Sequence, residues 1–231
     1  MGRTGSARTG REAGRARGTV PAEPSYFSAR ISAARRFYLR VAPGHGRPLT
    51  VVSGGWEQCR PDYAIRRPGF PHPTLEFVAR GAGELRLGGQ TWALAPGTAF
   101  VYGRGVPHRI RTDPAAPMLK YFVVFAGSEG RNLLRTCRLA PGTACRVARP
   151  EPVQQVFDDL IDHALGDHPD RQRLCGVALE YLITRINSLA IPFDSGDTRA
   201  LATYQRCRAF ITAEYLRVQS LPEIAAACHV D

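Results

Sequence analysis

The chain has 231 residues, 44% hydrophobic and 22% charged, which is room for one or two domains with a real core and excludes disorder as the main state. No apolar run approaches the roughly 18 residues of a membrane span, which excludes an integral helical membrane protein. Lys+Arg 31 against Asp+Glu 20 gives a net charge of +11, with Lys120 the one cation that is not arginine; this balance suits a polyanionic partner, and a GC-rich coding bias toward Arg, Ala, Gly and Pro accounts for it equally well.

Residues 1–24 are mostly Gly, Arg, Thr and Ala with almost nothing to bury, and are expected to form a disordered Arg-rich tail. The stretch is basic but has no apolar centre, so it is not a secretory signal. Cys59, Cys137, Cys145, Cys175, Cys207 and Cys228 are scattered without a C-x-x-C pair, which leaves no zinc-ribbon or thioredoxin-like motif. Reduced thiols and a cytoplasmic location are expected.

Segment 25–70 holds short apolar clusters (FYLRV, LTVV) broken by Gly and Pro, and reads as an arm plus short strands. From 74 to 127 the pattern is all-β: TLEFVARG, GELRL, QTWAL, TAFVYG, HRIRT and LKYFVVFAG are short strands separated by Gly, Pro or Asp-Pro. Gly88-Gly89 sits between two of them as a tight hairpin turn does. Six strands at this spacing predict a small barrel or sandwich.

After Pro150 the apolar period becomes helical. Val153, Val156, Phe157, Leu160, Ile161 and Leu165 form one stripe, and Leu174, Val177, Ala178, Tyr181, Leu182, Ile186 and Leu189 another. Residues 191–199 read as a polar linker, followed by a helix over about 200–217. The last segment, SLPEIAAACHVD, carries a Ser220-x-x-Glu223 capping box with Pro222 in the first turn, predicting a short helix from Leu221 to Cys228 and a turn at His229. The whole is an α+β chain: a β domain with an N-terminal arm (25–150), a helical pair (151–190), a linker (191–199) and a small helical unit (200–231).

A helix, a capped second helix and a turn are the opening of a helix-turn-helix. The string FITAEYLRVQSLPEIAAACHVD resembles the first helix-turn-helix of the AraC/XylS family of transcriptional regulators. The stretch LEFVARGAGELRLGGQTWALAPGTAFVYGRGVPHRI resembles the same family's cupin-like (double-stranded β-helix) ligand-binding barrel, with its R-G-x-G, P-G and P-H marks. The resemblance covers about residues 35–231. It implies a ligand-responsive regulator whose barrel senses a small molecule, a sugar for preference, whose helical pair dimerises the chain, and whose all-α unit binds DNA. The written chain ends at Asp231, where the recognition helix is expected to start, so the resemblance implies an unfinished DNA-binding half.

Within the barrel the resemblance implies a sugar-binding Arg67, in the R-R-P stretch, and pocket residues Lys120 and Phe122; strand alternation sets 120, 122 and 124 on one face. His108 and Trp92 are further ligand-binding candidates. A solvated turn charge at Arg67 and plain core packing at Phe122, His108 and Trp92 are the alternative readings. Phe37-Tyr38 falls in the region of the family's arm, which folds over bound ligand. Arg206, Arg208 and Arg217 are the candidate phosphate contacts, and a solvated helix face explains them equally well. No cofactor is implied. The competing reading is a metal-dependent cupin enzyme: His72, Glu76 and His108 offer a 2-His-1-carboxylate set, although Phe70 and Gly103 replace two residues of the metal-binding cupin patterns.

Overall fold

The computed structural model describes residues 24–39, 48–137, 139–191 and 197–230. Residues 1–23 of the expected tail, the middle of the expected linker and Asp231, the expected start of the recognition helix, lie outside the described residues. Eleven strands and five helices are described. The strands are β1 (Ile31–Tyr38), β2 (Thr50–Cys59), β3 (Ala64–Arg67), β4 (Thr74–Arg80), β5 (Gly83–Leu87), β6 (Gln90–Leu94), β7 (Thr98–Tyr102), β8 (His108–Thr112), β9 (Leu119–Ala126), β10 (Thr143–Val147) and β11 (Ala190–Ile191). The helices are α1 (Ser128–Thr136), α2 (Pro150–Leu165), α3 (Arg171–Leu189), α4 (Asp197–Glu214) and α5 (Leu221–Ala227).

Two antiparallel sheets form, a seven-stranded one in the order β1-β2-β9-β4-β7-β10-β11 and a four-stranded one in the order β3-β8-β5-β6. The six strands expected between 74 and 127 are all present. Gly88 and Gly89 take φ of 58° and 84° between β5 and β6, the double positive φ that a two-residue hairpin turn needs and side chains resist.

The central strands β4, β7 and β9 of the large sheet are buried on both faces, which explains the unbroken apolar run of β9. Alternation sorts its residues. Tyr121, Val123 and Phe125 face a core shared with α2 and α3, whereas Phe122 and Val124 face a second core shared with Leu85, Leu87 and Ile110 of the small sheet. Phe157 of α2 is fully buried and locks helix to sheet, its ring 6.0 Å from Phe77 and 5.3 Å from Tyr121.

Several expectations need correction. Phe37 and Tyr38 belong to β1, paired along β2, with Phe37 buried in the core; the segment that reaches the barrel interior lies earlier, at Tyr26 and Phe27. Strand β1 can lie that close because β2 offers Gly54, where a Cβ would stand 2.7 Å from the Phe37 ring. Helix α1 and strands β10 and β11 were not expected. Helix α4 starts at Asp197, inside the expected linker. The α3 stripe is also rotated: Cys175, Leu179, Leu182, Ile183 and Ile186 are buried, whereas Leu174, Val177 and Tyr181 are exposed. Apolar residues cover two faces of that helix, and α2 with the sheet takes only one of them.

At the C-terminal end, the Ser220 hydroxyl accepts from the Glu223 amide at 3.4 Å, the Glu223 carboxylate accepts from the Gln219 amide, and His229 takes φ of 50°. The helix boundaries there follow the capping residues.

Phe157→Ala is expected to cost about 3–5 kcal/mol, because it opens a void where helix and sheet meet. The denaturant midpoint by circular dichroism measures this.

Candidate functional site

The chain's single lysine is the second residue of β9, and its side chain is buried inside the barrel. Its direct partner across β2 is Glu57, and Glu76 of β4 is diagonal to it, opposite Phe122. Lys120 Nζ lies 2.9 Å from Glu57 Oε2 and 3.1 Å from Glu76 Oε2, and all three side chains are at most 4% exposed. Arg36 of β1 completes the set with Nη2 2.8 Å from Glu57 Oε1. Tyr102 donates its hydroxyl to Glu76 Oε1 at 2.6 Å. Two cations and two anions therefore balance, as buried charges must.

The electrostatics follow from that balance. Burial by itself pushes the Lys120 ammonium down, but Glu57 and Glu76 together outweigh it and hold the group well above its ordinary value. Burial pushes the Glu57 carboxyl up, and Lys120 with Arg36 more than reverse this, leaving it below the usual carboxylate range. Lys120 Nζ also stands 5.4 Å from the ring centres of both Tyr63 and Phe122, a cation over aromatic faces.

Above this network an interior cavity of about 30 Å³ remains, room for water and far below the roughly 300 Å³ of a small-molecule pocket. It is small because the chain's own N-terminal segment fills the space. Phe27 sits edge-on to Phe122 at 5.6 Å, and Tyr26 edge-on to Phe70 at 5.2 Å. Polar ties hold the segment down: the Tyr26 hydroxyl meets Ser53 Oγ at 2.9 Å, Arg67 donates to the Tyr26 carbonyl, and Arg36 donates to the Ser28 carbonyl at 2.8 Å. The Arg67 guanidinium also lies over the Phe70 ring, 5.2 Å from its centre.

Arg67, Lys120 and Phe122 thus line one cavity. The other two ligand candidates do not join them there. His108 lies opposite Arg67 in the sheet register, stacked on Tyr102 at 3.9 Å, with Nδ1 3.1 Å from the Val106 carbonyl. Burial pushes its pKa below the ordinary histidine value, and the Val106 carbonyl and Glu76 offset this in part. It lines a groove outside the interior cavity. Trp92 packs half-buried against the core between the sheets and is not in the cavity wall. His72, Glu76 and His108 do not gather as a metal site: among the described residues no three His, Cys, Asp or Glu side chains do, and Glu76 is engaged by Tyr102 and Lys120.

Arg206, Arg208 and Arg217 each have a partner. Arg206 donates to the Cys228 carbonyl at 3.3 Å, Arg208 pairs with Glu151 of α2, and Arg217 stands 3.6 Å from Glu214.

Sequence reasoning missed Tyr26, Phe27, Arg36, Glu57 and Tyr102 as parts of this site. A signal existed for one of them. A lone lysine in the run LKYFVVF demands a buried carboxylate, and Glu57 stands by itself in SGGWEQC on a strand that can reach it.

The profile of the AraC-like ligand binding domain matches residues 52–183. A search of curated proteins finds no match. Among solved structures, the chain is similar to the plu4264 protein from Photorhabdus luminescens, with 15% identity, a TM-score of 0.33, and coverage of 51% of this chain and 96% of that one. KdgF from Halomonas sp. is 18% identical with a TM-score of 0.28, over 33% of this chain and 76% of that chain. Salicylate 1,2-dioxygenase from Pseudaminobacter salicylatoxidans is 20% identical with a TM-score of 0.29, over 32% of this chain and 21% of that chain. Among the described residues no helix is long and apolar enough to cross a membrane.

Lys120→Met is expected to destabilise the protein by about 3–5 kcal/mol at neutral pH, since it leaves the buried Glu76 carboxylate without a counter-charge and Glu57 with Arg36 alone. The loss shrinks in acid, where protonated carboxyls no longer need a cation. In the wild type the sign is opposite: the depressed Glu57 carboxyl contributes stability that is complete above about pH 4.3 and is lost as pH falls through its folded value. Urea melts of both proteins between neutral pH and acid measure this crossing of trends.

Proposed function

The chain belongs to the family of AraC-like ligand-binding domains, and on that premise we propose that it is the sensing part of an AraC-type transcription regulator whose effector is a sugar. One observation carries the reading: Arg67, Lys120, Glu57, Glu76 and Phe122 converge on one interior cavity that residues 26–27 of the same chain occupy. Charged donors and acceptors beside aromatic faces suit a polyhydroxylated ring, whose hydroxyls take hydrogen bonds and whose C–H face stacks on an arene. Tyr26 and Phe27 stand where the ring would lie, so the sugar binds by displacing them. Ligand then shifts the equilibrium between two positions of the segment by its differential affinity for them.

The rest of the reading concerns assembly and output. Leu174, Val177 and Tyr181 form an exposed apolar stripe on α3, beside a groove of about 410 Å³ shared with α2; this stripe supports a homodimer. Helices α4 and α5 with the turn at His229 are read as the start of a helix-turn-helix that binds DNA in the full protein. Arg217, 81% exposed and only 3.6 Å from Glu214 at its nearest, is the candidate phosphate contact most open to solvent. Arg206 and Arg208 reach phosphate only by leaving their present partners.

Titration calorimetry with a panel of pentoses, hexoses and sugar acids tests the sensor reading. At least one is expected to bind, and Phe27→Ala is expected to tighten it by about one to two orders of magnitude, because the binding-competent fraction rises when the competing ring is gone. No heat from any sugar with either protein overturns the assignment. Val177→Glu is expected to convert a dimer to monomer in sedimentation without lowering the melting midpoint.

A further inference from the structure

The outer face of the small sheet carries a row of cations. Arg66 of β3, Arg109 of β8 and Arg86 of β5 are direct register partners across three adjacent strands, so their backbones span about 10 Å. Their strand neighbours Ile65, Ile110 and Leu85 turn inward to the core, and alternation turns the arginines outward. Like charges directly opposite one another destabilise a sheet, and this row sets two such pairs side by side. The acid nearest to hand is Glu84, 3.4 Å from Arg86 Nε, with both side chains largely in solvent. Among the described residues Arg66 and Arg109 have no carboxylate partner.

The row opens into a groove of about 640 Å³ whose walls, among the described residues, include Arg66, Arg67, Arg86 and Arg109 and no acidic residue. We propose that this face of the sensor barrel binds the phosphate backbone of double-stranded DNA without regard to sequence. Arginine is the residue that recognises phosphate through paired N–H donors, and phosphate contacts supply most sequence-independent affinity. A protein partner fits less well. Protein interfaces centre on apolar and aromatic side chains and shed charge there, and this groove has no Phe, Tyr or Trp in its walls. The same lack speaks against single strands, which need stacking platforms. The site is on the barrel, and so is separate from the helix-turn-helix reading of α4 and α5.

The test is fluorescence anisotropy of a short labelled duplex of arbitrary sequence with the full chain, between about 50 and 200 mM salt. Arg66→Gln, Arg86→Gln and Arg109→Gln combined are expected to flatten the plot of log affinity against log salt by about 2–3 units and to weaken low-salt binding at least about tenfold. The melting midpoint is expected to hold or rise, since repulsion is relieved; should the triple variant not fold, the three single variants carry the same reading at about 0.9 unit each. Arg206→Gln, Arg208→Gln and Arg217→Gln, made separately from the barrel set, test the helical reading and are expected to leave the barrel's share of the slope intact. A wild-type chain that does not bind the duplex overturns the proposal, and so does an Arg66/Arg86/Arg109 variant with unchanged slope and affinity. A polyglutamate peptide that binds through the row when the duplex does not overturns it in favour of an acidic protein partner.

Discussion

The interior of this barrel depends on one ammonium group held between two carboxylates. Lys120 could not be buried alone, because the desolvation of a single charge costs more than any strand pairing returns. Glu57 and Glu76 resolve that, one by direct cross-strand pairing and the other on the diagonal. Their remaining oxygens then need partners of their own, which Arg36 and Tyr102 supply. The need propagates through the fold: β1 must pair with β2 to bring in Arg36, and β7 must flank β4 to bring in Tyr102. An all-hydrocarbon interior of the same shape would be at least as stable. What the polar network adds is a set of oriented donors and acceptors in a dry place, which an apolar plug cannot offer to a ligand.

Much of the fold was legible because it follows from periodicity. The strands between Thr74 and Ala126 alternate or run continuously apolar between turn residues, and the Gly88-Gly89 turn needs a backbone only glycine adopts easily. The last helix was legible from its cap. What stayed hidden was non-local. Strand β10 contains ordinary residues and is a strand because β7 has a free edge for it. Helix α3 has apolar residues on two faces, so no pattern could say which face α2 would cover. The cavity shows the same division: alternation placed Lys120 with Phe122, but the arrival of Tyr26 and Phe27 from about a hundred residues upstream is a matter of tertiary packing.

Arg67 joins the features that matter most. Its guanidinium donates to the Tyr26 carbonyl and lies over Phe70, so it helps hold the N-terminal segment in the cavity. It also stands in the wall of the outer arginine groove. One side chain thus borders the interior site and the charged face at once, at the end of the four-residue strand β3. His108 sits across from it in the register, stacked on Tyr102, which in turn holds Glu76. The chain of contacts from carboxylate network to outer groove is therefore short and made of side chains alone.

The filled cavity sets the scale of any response. Tyr26 and Phe27 are each about half-buried, and an aromatic side chain buries about 150–250 Å² when fully enclosed. At about 25 cal/mol per Å² each ring then contributes about 2–3 kcal/mol to keeping the segment in place. A ligand that needs the same space must first recover that sum, so its apparent affinity is lower than its intrinsic affinity by the same amount. On the proposed reading, that cost is what couples binding to movement of the segment. A cavity that stood open would bind without moving anything, whereas the space left here is far below the roughly 300 Å³ of a small-molecule pocket, so a ring-sized ligand needs the segment that carries Tyr26 to move.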